Sequence, residues 1–485
     1  MLEEWGVRSG HLINGAWVPG RPGEEVFSPI DEAPLGRIAE ATEEEVGAAA
    51  RGAAAAFPAW AALGAEGRLP YLLRFAEEIG ARADAFASVE ALDAGILESR
   101  MRHGIVPRAQ LNIRHFAEAA LTLQDRVLET AQARHQVRHD PAGVCAIITP
   151  WNSPLMLSTW KLGPALAAGN TCILKAPEWA PFSSALVAQA AEAASLPPGV
   201  LNLLQGTGAG TGAALIDRPE LARISFTGST ATGRAIGAAA MGRLVPCSLE
   251  LGGKSPFIVL PGADLDLAAR TGALMYRNAT QVCLAGTRLL IHEGIFEAFL
   301  ERMGHYVAQL TVGDPREAAT EVGPLIHPRQ AARVKAYVGG AVERGAEVRW
   351  GGKPSKVGAL YFEPTLLTGL PASDPIVQEE VFGPVLVAQP FADEAEAIAL
   401  ANDTVYGLGG VCFGPEADAV RVSERVRTGF IWVNSFGIRD LDAPFGGCRQ
   451  SGVGREGGDW SFEFFSDVKD IIVPKGPFEP SFAHR

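Results

Sequence analysis

A chain of 485 residues exceeds what one hydrophobic core can organise, and its 47% apolar content is enough to fill roughly two to four domains, which excludes a disordered protein. The net charge of −13 excludes sequence-independent binding to nucleic acid or to an anionic membrane, because both require a basic surplus. No apolar run of about 18 residues occurs, and MLEEWGVRSG lacks the basic flank and apolar stretch of a secretory signal, so the expected location is the cytoplasm.

After a short Gly/Pro-rich stretch, the spacing of Thr42 and Glu45 predicts a capping box that opens an Ala-rich helix. A second helical pattern runs from about Leu69 towards Ala91, so the N-terminal part reads as largely helical. The segment DRVLETAQARHQVRHD then alternates charged and apolar residues like a solvated strand pair.

From Gly143 the pattern changes to short apolar runs, VCAII, TCIL, VLNLL, RISF and PFIVL, separated by amphipathic segments such as SSALVAQAAEAA and ATGRAIGAAA. This alternation predicts an α/β fold with a parallel sheet covered by helices on both faces. It resumes after about Arg288 with LLIH, a helix near Phe296 to Leu310, then EVRW, VLVAQ, GVCF and FIWVN, which predicts a second α/β unit. The tail FFSDVKDIIVPK reads as a further strand with little core of its own, the kind of segment that pairs across subunits.

The six cysteines, Cys145, Cys172, Cys247, Cys283, Cys412 and Cys448, form no CxxC or Cys/His cluster. They fit reduced thiols better than a disulfide framework or a zinc site, and no metal is expected.

In open α/β sheets ligands bind beyond the carboxyl ends of the strands. Asn152 follows one apolar run, Lys175 and Glu178 a second, Gly228 and Ser229 a third, and Glu250 lies just past the run PCSL, so all should share one rim. Gly228 and Gly233 in FTGSTATGR flank a helix start, where free N–H groups and the helix dipole favour a pyrophosphate; tight-turn glycines would look the same. Lys175 and Glu178 suit the hydroxyls of an adenosine ribose, or a surface ion pair. Cys283 lies in NATQVCLAGTR beside Ala285 and Gly286, where an inert core thiol is the alternative; Glu250 in LELGGKSP supplies a base for the thiol or for a water.

Taken together, TPWNSP, LKAPE, FTGST, LELGGKSP, QVCLAG, EEVFGPV and APFGG with SGVGRE occur in the order of the aldehyde dehydrogenase superfamily, which the chain resembles from about position 10 to 475. The resemblance implies two doubly wound α/β domains and a small β oligomerisation extension. The cofactor-binding domain is expected over 1–123 and 143–251, the catalytic domain over 252–457 and the extension over 124–142 and 458–485. It implies Cys283 as nucleophile, Asn152 with the Cys283 backbone N–H as oxyanion donors, and Glu250 as the base that activates water against a thioester. Trp151, Lys175, Glu178, Gly228, Ser229, Gly233, Leu251, Glu380 and Phe382 are the implied cofactor contacts. A carboxylate at Glu178 should repel a 2′-phosphate, which favours NAD over NADP. A homodimer or homotetramer follows from the same resemblance.

Arg108 in IVPRAQLNIRHFAE and Arg439 in FGIRDLDAPFGG are similar to the muconic semialdehyde branch of that superfamily, where arginines hold the substrate's carboxylate. The alternative pairs Arg439 with Asp440 or Asp442 and leaves Arg108 at a helix surface. Dehydrogenation of neutral aromatic or aliphatic aldehydes, and a catalytically silent binding protein of the same fold, are the competing functions. Two departures stand out: Ala279 and Thr280 replace a usual Gln-Gly before Cys283, and Ala176 replaces a common Pro.

Overall fold

A computed structural model describes residues 3–123 and 126–478; the parts of the expected segments at 1–2, 124–125 and 479–485 lie outside the described residues. Five parallel strands form the middle of the first sheet, in the spatial order Cys247–Glu250, Leu221–Thr227, Val144–Ile148, Thr171–Lys175 and Leu201–Leu204. Successive side chains point to opposite faces, and both faces are covered. Cys145, Ile147, Cys172 and Leu174 pack towards the helices Pro154–Ala167 and Phe182–Ala193. Val144, Ala146, Ile148 and Ile173 meet Val46, Ala49, Ala50 and Ala53 of the helix Glu43–Ala62. Each large aliphatic side chain fully buried in this way contributes roughly 1.5–3 kcal/mol. The small alanine face of Glu43–Ala62 permits close approach, and its start is fixed as expected: Thr42 Oγ1 accepts from the Glu45 N–H at 3.2 Å while Glu45 Oε2 accepts from the Thr42 N–H at 2.8 Å.

The N-terminal part is less helical than its sequence suggests. Four strands, His11–Ile13, Ala16–Val18, Arg21–Phe27 and Pro34–Glu40, precede the first long helix. The first two extend the first sheet antiparallel, through Leu12 opposite Leu203, and the other two form a separate hairpin. Three-residue strands carry too little periodicity to be read from composition. The pattern from Leu69 resolves into two helices, Gly64–Ala81 and Ala83–Ala94.

A second sheet runs in the order Glu347–Trp350, Thr365–Thr368, Val385–Phe391, Arg288–His292, Pro256–Val259, Val411–Phe413 and Trp432–Val433, parallel except at its first strand. Phe257, Val259, Leu289 and Ile291 form a core with Phe299 and Met303 on one face, while Ile258, Leu290 and Cys412 meet Ala397 and Val422 on the other. The chain then returns to the first sheet: Gly452–Val453 pairs antiparallel with Cys247–Glu250.

The tail strand Ser466–Pro474 pairs antiparallel with Ala133–Pro141, from Ser466 opposite Pro141 to Pro474 opposite Ala133, and Arg126–Glu129 completes a third sheet. Val127, Val468, Ile472 and Val473 are more than half exposed on it, at 51%, 59%, 60% and 52%. No helix among the described residues is long and apolar enough to cross a membrane.

Candidate active site

The first sheet reverses its winding between Val144–Ile148 and Leu221–Thr227, because later strands add on one side up to Leu201–Leu204 and then on the other. A crevice opens beyond the carboxyl ends of strands at such a point. Trp151 and Asn152 leave one strand there, and Gly228 and Ser229 leave the other. The second sheet meets this crevice from the opposite direction, offering the segments that precede its strands: Lys254 before Pro256–Val259, Cys283 before Arg288–His292 and Phe382 before Val385–Phe391.

Two cavities meet in the crevice. One, of about 280 Å³, is lined by Trp151, Gly228, Ser229, Leu251, Glu380 and Phe382, all expected cofactor contacts. Thr227, Asn152, Leu251 and Cys283 line both it and a second cavity of about 290 Å³. Gly233 lies one turn inside the helix Thr230–Gly242, where an added Cβ would stand 2.3 Å from Leu251 Cδ2; the glycine lets this helix approach the cleft wall. Lys175 and Glu178 fall outside the lining of this cleft. Lys175 is buried at the end of its strand and pushed down to about 8 by that burial, against the attraction of Glu178 and Glu40. Glu178 Oε2 accepts from the Gly208 N–H at 2.8 Å.

The cleft suits a dinucleotide. The rings of Trp151 and Phe382 stand 5.3 Å apart edge to face, leaving apolar walls for a planar ring. Glu380 accepts from the Gly253 N–H at 2.9 Å, and an added Cβ on Gly252 would lie 2.3 Å from its Oε2, so a larger residue there would displace this carboxylate. Burial pushes Glu380 up to about 7. Ser229 caps the helix Thr230–Gly242, whose positive end faces the same space.

The loop that carries Cys283 is tightly fixed. Gln281 is buried; its Nε2 donates to the carbonyls of Asn278 and Pro324 at 3.2 Å each, and its Oε1 accepts from the Ile326 N–H at 2.9 Å. Asn152 Nδ2 donates to the Gln281 carbonyl at 2.9 Å, which leaves its second N–H for a ligand. Asn278, Ala279 and Thr280 are all left-handed, with φ of 54°, 50° and 55°, a conformation that a β-branched residue adopts only under strain. Burial, then the charges of Glu380 and Glu250, push the half-buried Cys283 thiol up to about 12, while Arg439 opposes the shift.

Glu250 ends its strand with only 4% exposure, and neither carboxylate oxygen has a hydrogen-bond partner among the described residues. An added Cβ on Gly446 would come within 2.5 Å of Glu250 Oε1, so this glycine keeps open the space beside the base. Burial raises Glu250 well above the ordinary carboxylate range, Glu456 adds to the rise, and Lys161 opposes it. Glu456 lies in a buried network with Lys161, and its Oε2 accepts from Trp160 Nε1 at 2.6 Å. Thr227 Oγ1 and Ser153 Oγ, on the same cavity wall, are also buried without partners. Such unsatisfied groups concentrate where a ligand or water is to be met.

Arg108 and Arg439 line the second cavity with Cys283 and Glu250. Arg108 Nε donates to Asn112 Oδ1 at 3.1 Å and its Nη1 to the Arg439 carbonyl at 3.4 Å. The Arg439 guanidinium stands 3.9 Å from the Phe445 ring centre and 5.1 Å from that of Trp160. Burial and the Arg108 charge lower Arg439 to about 10. Among the described residues neither arginine forms a salt bridge; Asp442 instead faces His115 at 3.0 Å.

Residue types gave no warning of Trp179, Gln330, Arg333 and Gly252 in the cofactor cleft, or of Trp160, Phe436, Phe445 and Glu456 in the chamber. Of these Gly252 sits in the motif LELGGKSP, Phe436 and Phe445 in FGIRDLDAPFGG and Glu456 in SGVGRE; Trp160, Trp179, Gln330 and Arg333 sit in none.

Comparison with known proteins points to one family and fold. Residues 17–471 match the model described as the aldehyde dehydrogenase family. The chain is 39% identical to 2-hydroxymuconic semialdehyde dehydrogenase of Pseudomonas sp. strain CF600, with 96% of this chain and 99% of that protein covered. It is 37% identical to the NADP-dependent succinate-semialdehyde dehydrogenase of Escherichia coli K12, with 96% of this chain and 98% of that protein covered. Among solved structures, betaine aldehyde dehydrogenase of Staphylococcus aureus in complex with NAD+ superposes with a TM-score of 0.95 at 32% identity, covering 100% of this chain and 98% of that one.

Proposed function

The chain belongs to the aldehyde dehydrogenase family, and from that premise we propose that it oxidises a carboxylated aldehyde of the muconic semialdehyde type to the acid, with NAD in preference to NADP. The observation that carries the substrate assignment is the pair Arg108 and Arg439 in the chamber that also holds Cys283 and Glu250: neither forms a salt bridge among the described residues, and Asp440 attracts Arg108, and Glu456 and Glu250 attract Arg439, only at longer range. Half-buried guanidiniums with N–H donors not taken up by a salt bridge can meet a substrate carboxylate through charge-assisted hydrogen bonds.

In this reading Glu250 takes the Cys283 thiol proton and passes it to solvent as the sulfur attacks the aldehyde carbon, forming a C–S bond and an oxyanion. Asn152 Nδ2 and the Cys283 backbone N–H donate to that oxygen. NAD, when bound, would supply the hydride acceptor needed between the thiohemiacetal and the thioester. Glu250 then takes a proton from water, whose oxygen attacks the thioester; the C–S bond breaks, and acid and thiol are released. A carboxylate raised by burial is the stronger base for that step. Trp151 and Phe382 would flank the nicotinamide, Glu380 would hold its ribose, Gly228, Ser229, Gly233 and Leu251 would shape the pyrophosphate side, and Lys175 with Glu178, beyond the lining of the main cleft, would hold the adenosine ribose. A 2′-phosphate would meet the Glu178 carboxylate, which supports NAD. Glu178→Ala is expected to narrow the NAD to NADP ratio of kcat/KM by about tenfold, or roughly 1.4 kcal/mol; an unchanged ratio would remove Glu178 from the cofactor assignment.

We further propose a cytoplasmic homodimer or homotetramer, supported by the exposed apolar residues of the third sheet. The domain limits 1–123 with 143–251, 252–457, and 124–142 with 458–485 remain part of this reading.

A second reading, oxidation of neutral aromatic aldehydes, draws on Trp160, Phe436 and Phe445 in the same chamber. The two separate by NADH formation at 340 nm with 2-hydroxymuconic semialdehyde and with benzaldehyde. A kcat/KM advantage of more than about tenfold for the carboxylated substrate upholds the arginine clamp. An equal or better rate with benzaldehyde transfers the assignment to the aromatic reading.

A further inference from the structure

Two aromatic pairs cross the cofactor cleft from one wall to the other. Trp151, past the strand Val144–Ile148, meets Phe382 of the second unit edge to face at 5.3 Å. Trp179, past the strand Thr171–Lys175, is stacked on His327 at 4.5 Å with only 9° between the ring planes. In the first pair both rings line the cavity of about 280 Å³; in the second Trp179 lines it and His327 stands outside the lining. Both rings of the second pair are partly exposed, so this crossing lies at the edge of the cleft.

His327 is fixed from behind. Its Nδ1 accepts from the Arg329 N–H at 3.1 Å and caps the helix Pro328–Glu343, which leaves the face of the ring to Trp179. That helix packs on the second core through Ala331, Val334 and Val338. From it Gln330 Nε2 donates to the Val381 and Phe382 carbonyls at 3.0 and 2.8 Å, and Arg333 Nη2 donates to the Glu380 carbonyl at 2.6 Å. The segment that carries Glu380 and Phe382 therefore hangs on the same helix that presents His327. Because Trp151 also lies 6.0 Å from Trp179, the contacts close a circuit around the cleft: Trp151, Trp179, His327, the helix, Phe382 and Trp151 again.

Within that circuit the Trp179–His327 link rests on two ring faces alone, whereas the helix is tied to the Glu380–Phe382 segment by hydrogen bonds. A stacked pair of rings costs little to part and re-forms without rearranging the backbone. We propose that Trp179 and His327 form a clasp across the edge of the cofactor cleft, which parts to admit the dinucleotide and to release it, and so paces cofactor exchange. The clasp rests on the reading of this cavity as the dinucleotide site.

The test follows NADH by stopped-flow fluorescence in the full-length enzyme, on binding and on displacement by excess NAD. His327→Asn keeps a side-chain oxygen to cap the helix and deletes the ring. It should speed NADH binding and release together, each by about threefold to tenfold, the size of one aromatic contact, and leave Kd nearly unchanged. His327→Phe should keep exchange slow. In a Trp179→Ala background His327→Asn should have no further effect, because its partner is already gone. Unchanged rates in His327→Asn, faster release alone with a matching loss of affinity, or an equal effect of His327→Asn with and without Trp179 overturns the clasp. Failure of the cleft reading is seen separately, as a wild type that binds no NADH.

Discussion

The cofactor cleft and the substrate chamber are almost equal in volume, about 280 and 290 Å³, and both reach Cys283. The cleft combines the rings of Trp151 and Phe382 with backbone features close to them in sequence motifs: glycines at 228 and 252, a helix start at Thr230, and one carboxylate, Glu380, seated by the Gly253 N–H. The chamber is shaped by side chains from distant parts of the chain, Arg108 and Asn112 on one helix, Met156 and Trp160 on another, and Phe436, Arg439 and Phe445 on a late loop. Backbone geometry tolerates few residue types, so a cleft of this kind holds one ligand class across many proteins. A chamber of side chains can be re-lined without moving the sheet, and substrate choice resides there.

The sharpest way to break this division is at the shared wall. Cys283→Ala should lower turnover by at least about 10⁴-fold, or roughly 5.5 kcal/mol of barrier, while leaving NAD binding by fluorescence titration intact. Joint loss of cofactor binding would mean that the two cavities do not act independently.

On the chamber side, Arg439→Ala should raise KM for the carboxylated aldehyde by tenfold to a hundredfold, about 1.4 to 3 kcal/mol, with little change for benzaldehyde. Equal damage to both substrates would return Arg439 to a packing role against Phe445 and Trp160.

A smaller effect is expected beneath the base. Glu456 raises the Glu250 pKa, so the acid limb of the kcat profile should lie above the ordinary carboxylate range, with activity lost as pH falls through it. Glu456→Gln removes one of the negative charges that raise Glu250, and the limb should move to lower pH by about one unit, or roughly 1.4 kcal/mol. A limb that moves upwards would show that the Lys161 partnership outweighs the direct repulsion.

The smallest effect concerns the strained loop. Thr280→Gly should relieve a left-handed β-branched residue and raise stability by about 1 kcal/mol in denaturant titration, since left-handed strain costs roughly 1–3 kcal/mol and glycine's added chain entropy offsets part of the gain. A loss of stability would show that the packing of the Thr280 methyl outweighs its backbone cost.

Legibility in the sequence follows the same division. Trp151, Gly228, Ser229, Leu251, Glu380 and Phe382 stand in short motifs at strand ends, and they share one cleft. Glu250 and Cys283 were likewise legible from LELGGKSP and QVCLAG. Trp160 was not, and Phe436 and Glu456, though they fall within FGIRDLDAPFGG and SGVGRE, carried no sign of their place in the chamber, because their convergence depends on long-range packing that no local spacing encodes. The central parallel strands were legible as apolar runs, since strands buried on both faces have no polar alternation to confuse them. The short strands before residue 41 were missed for the opposite reason: three residues of His11–Ile13 or Ala16–Val18 establish no period. Lys175 and Glu178 illustrate a third limit, for the motif LKAPE marks the right strand end while the side chains lie beyond the lining of the main cleft.

The most direct test of the account is a rapid-mixing measurement of NADH formation by Glu250→Gln with a carboxylated aldehyde. If Cys283 forms a thioester that only Glu250-activated water removes, the variant should release close to one NADH per subunit in a burst and then nearly stop. Steady turnover at the wild-type rate without a burst would contradict the assigned roles of both residues.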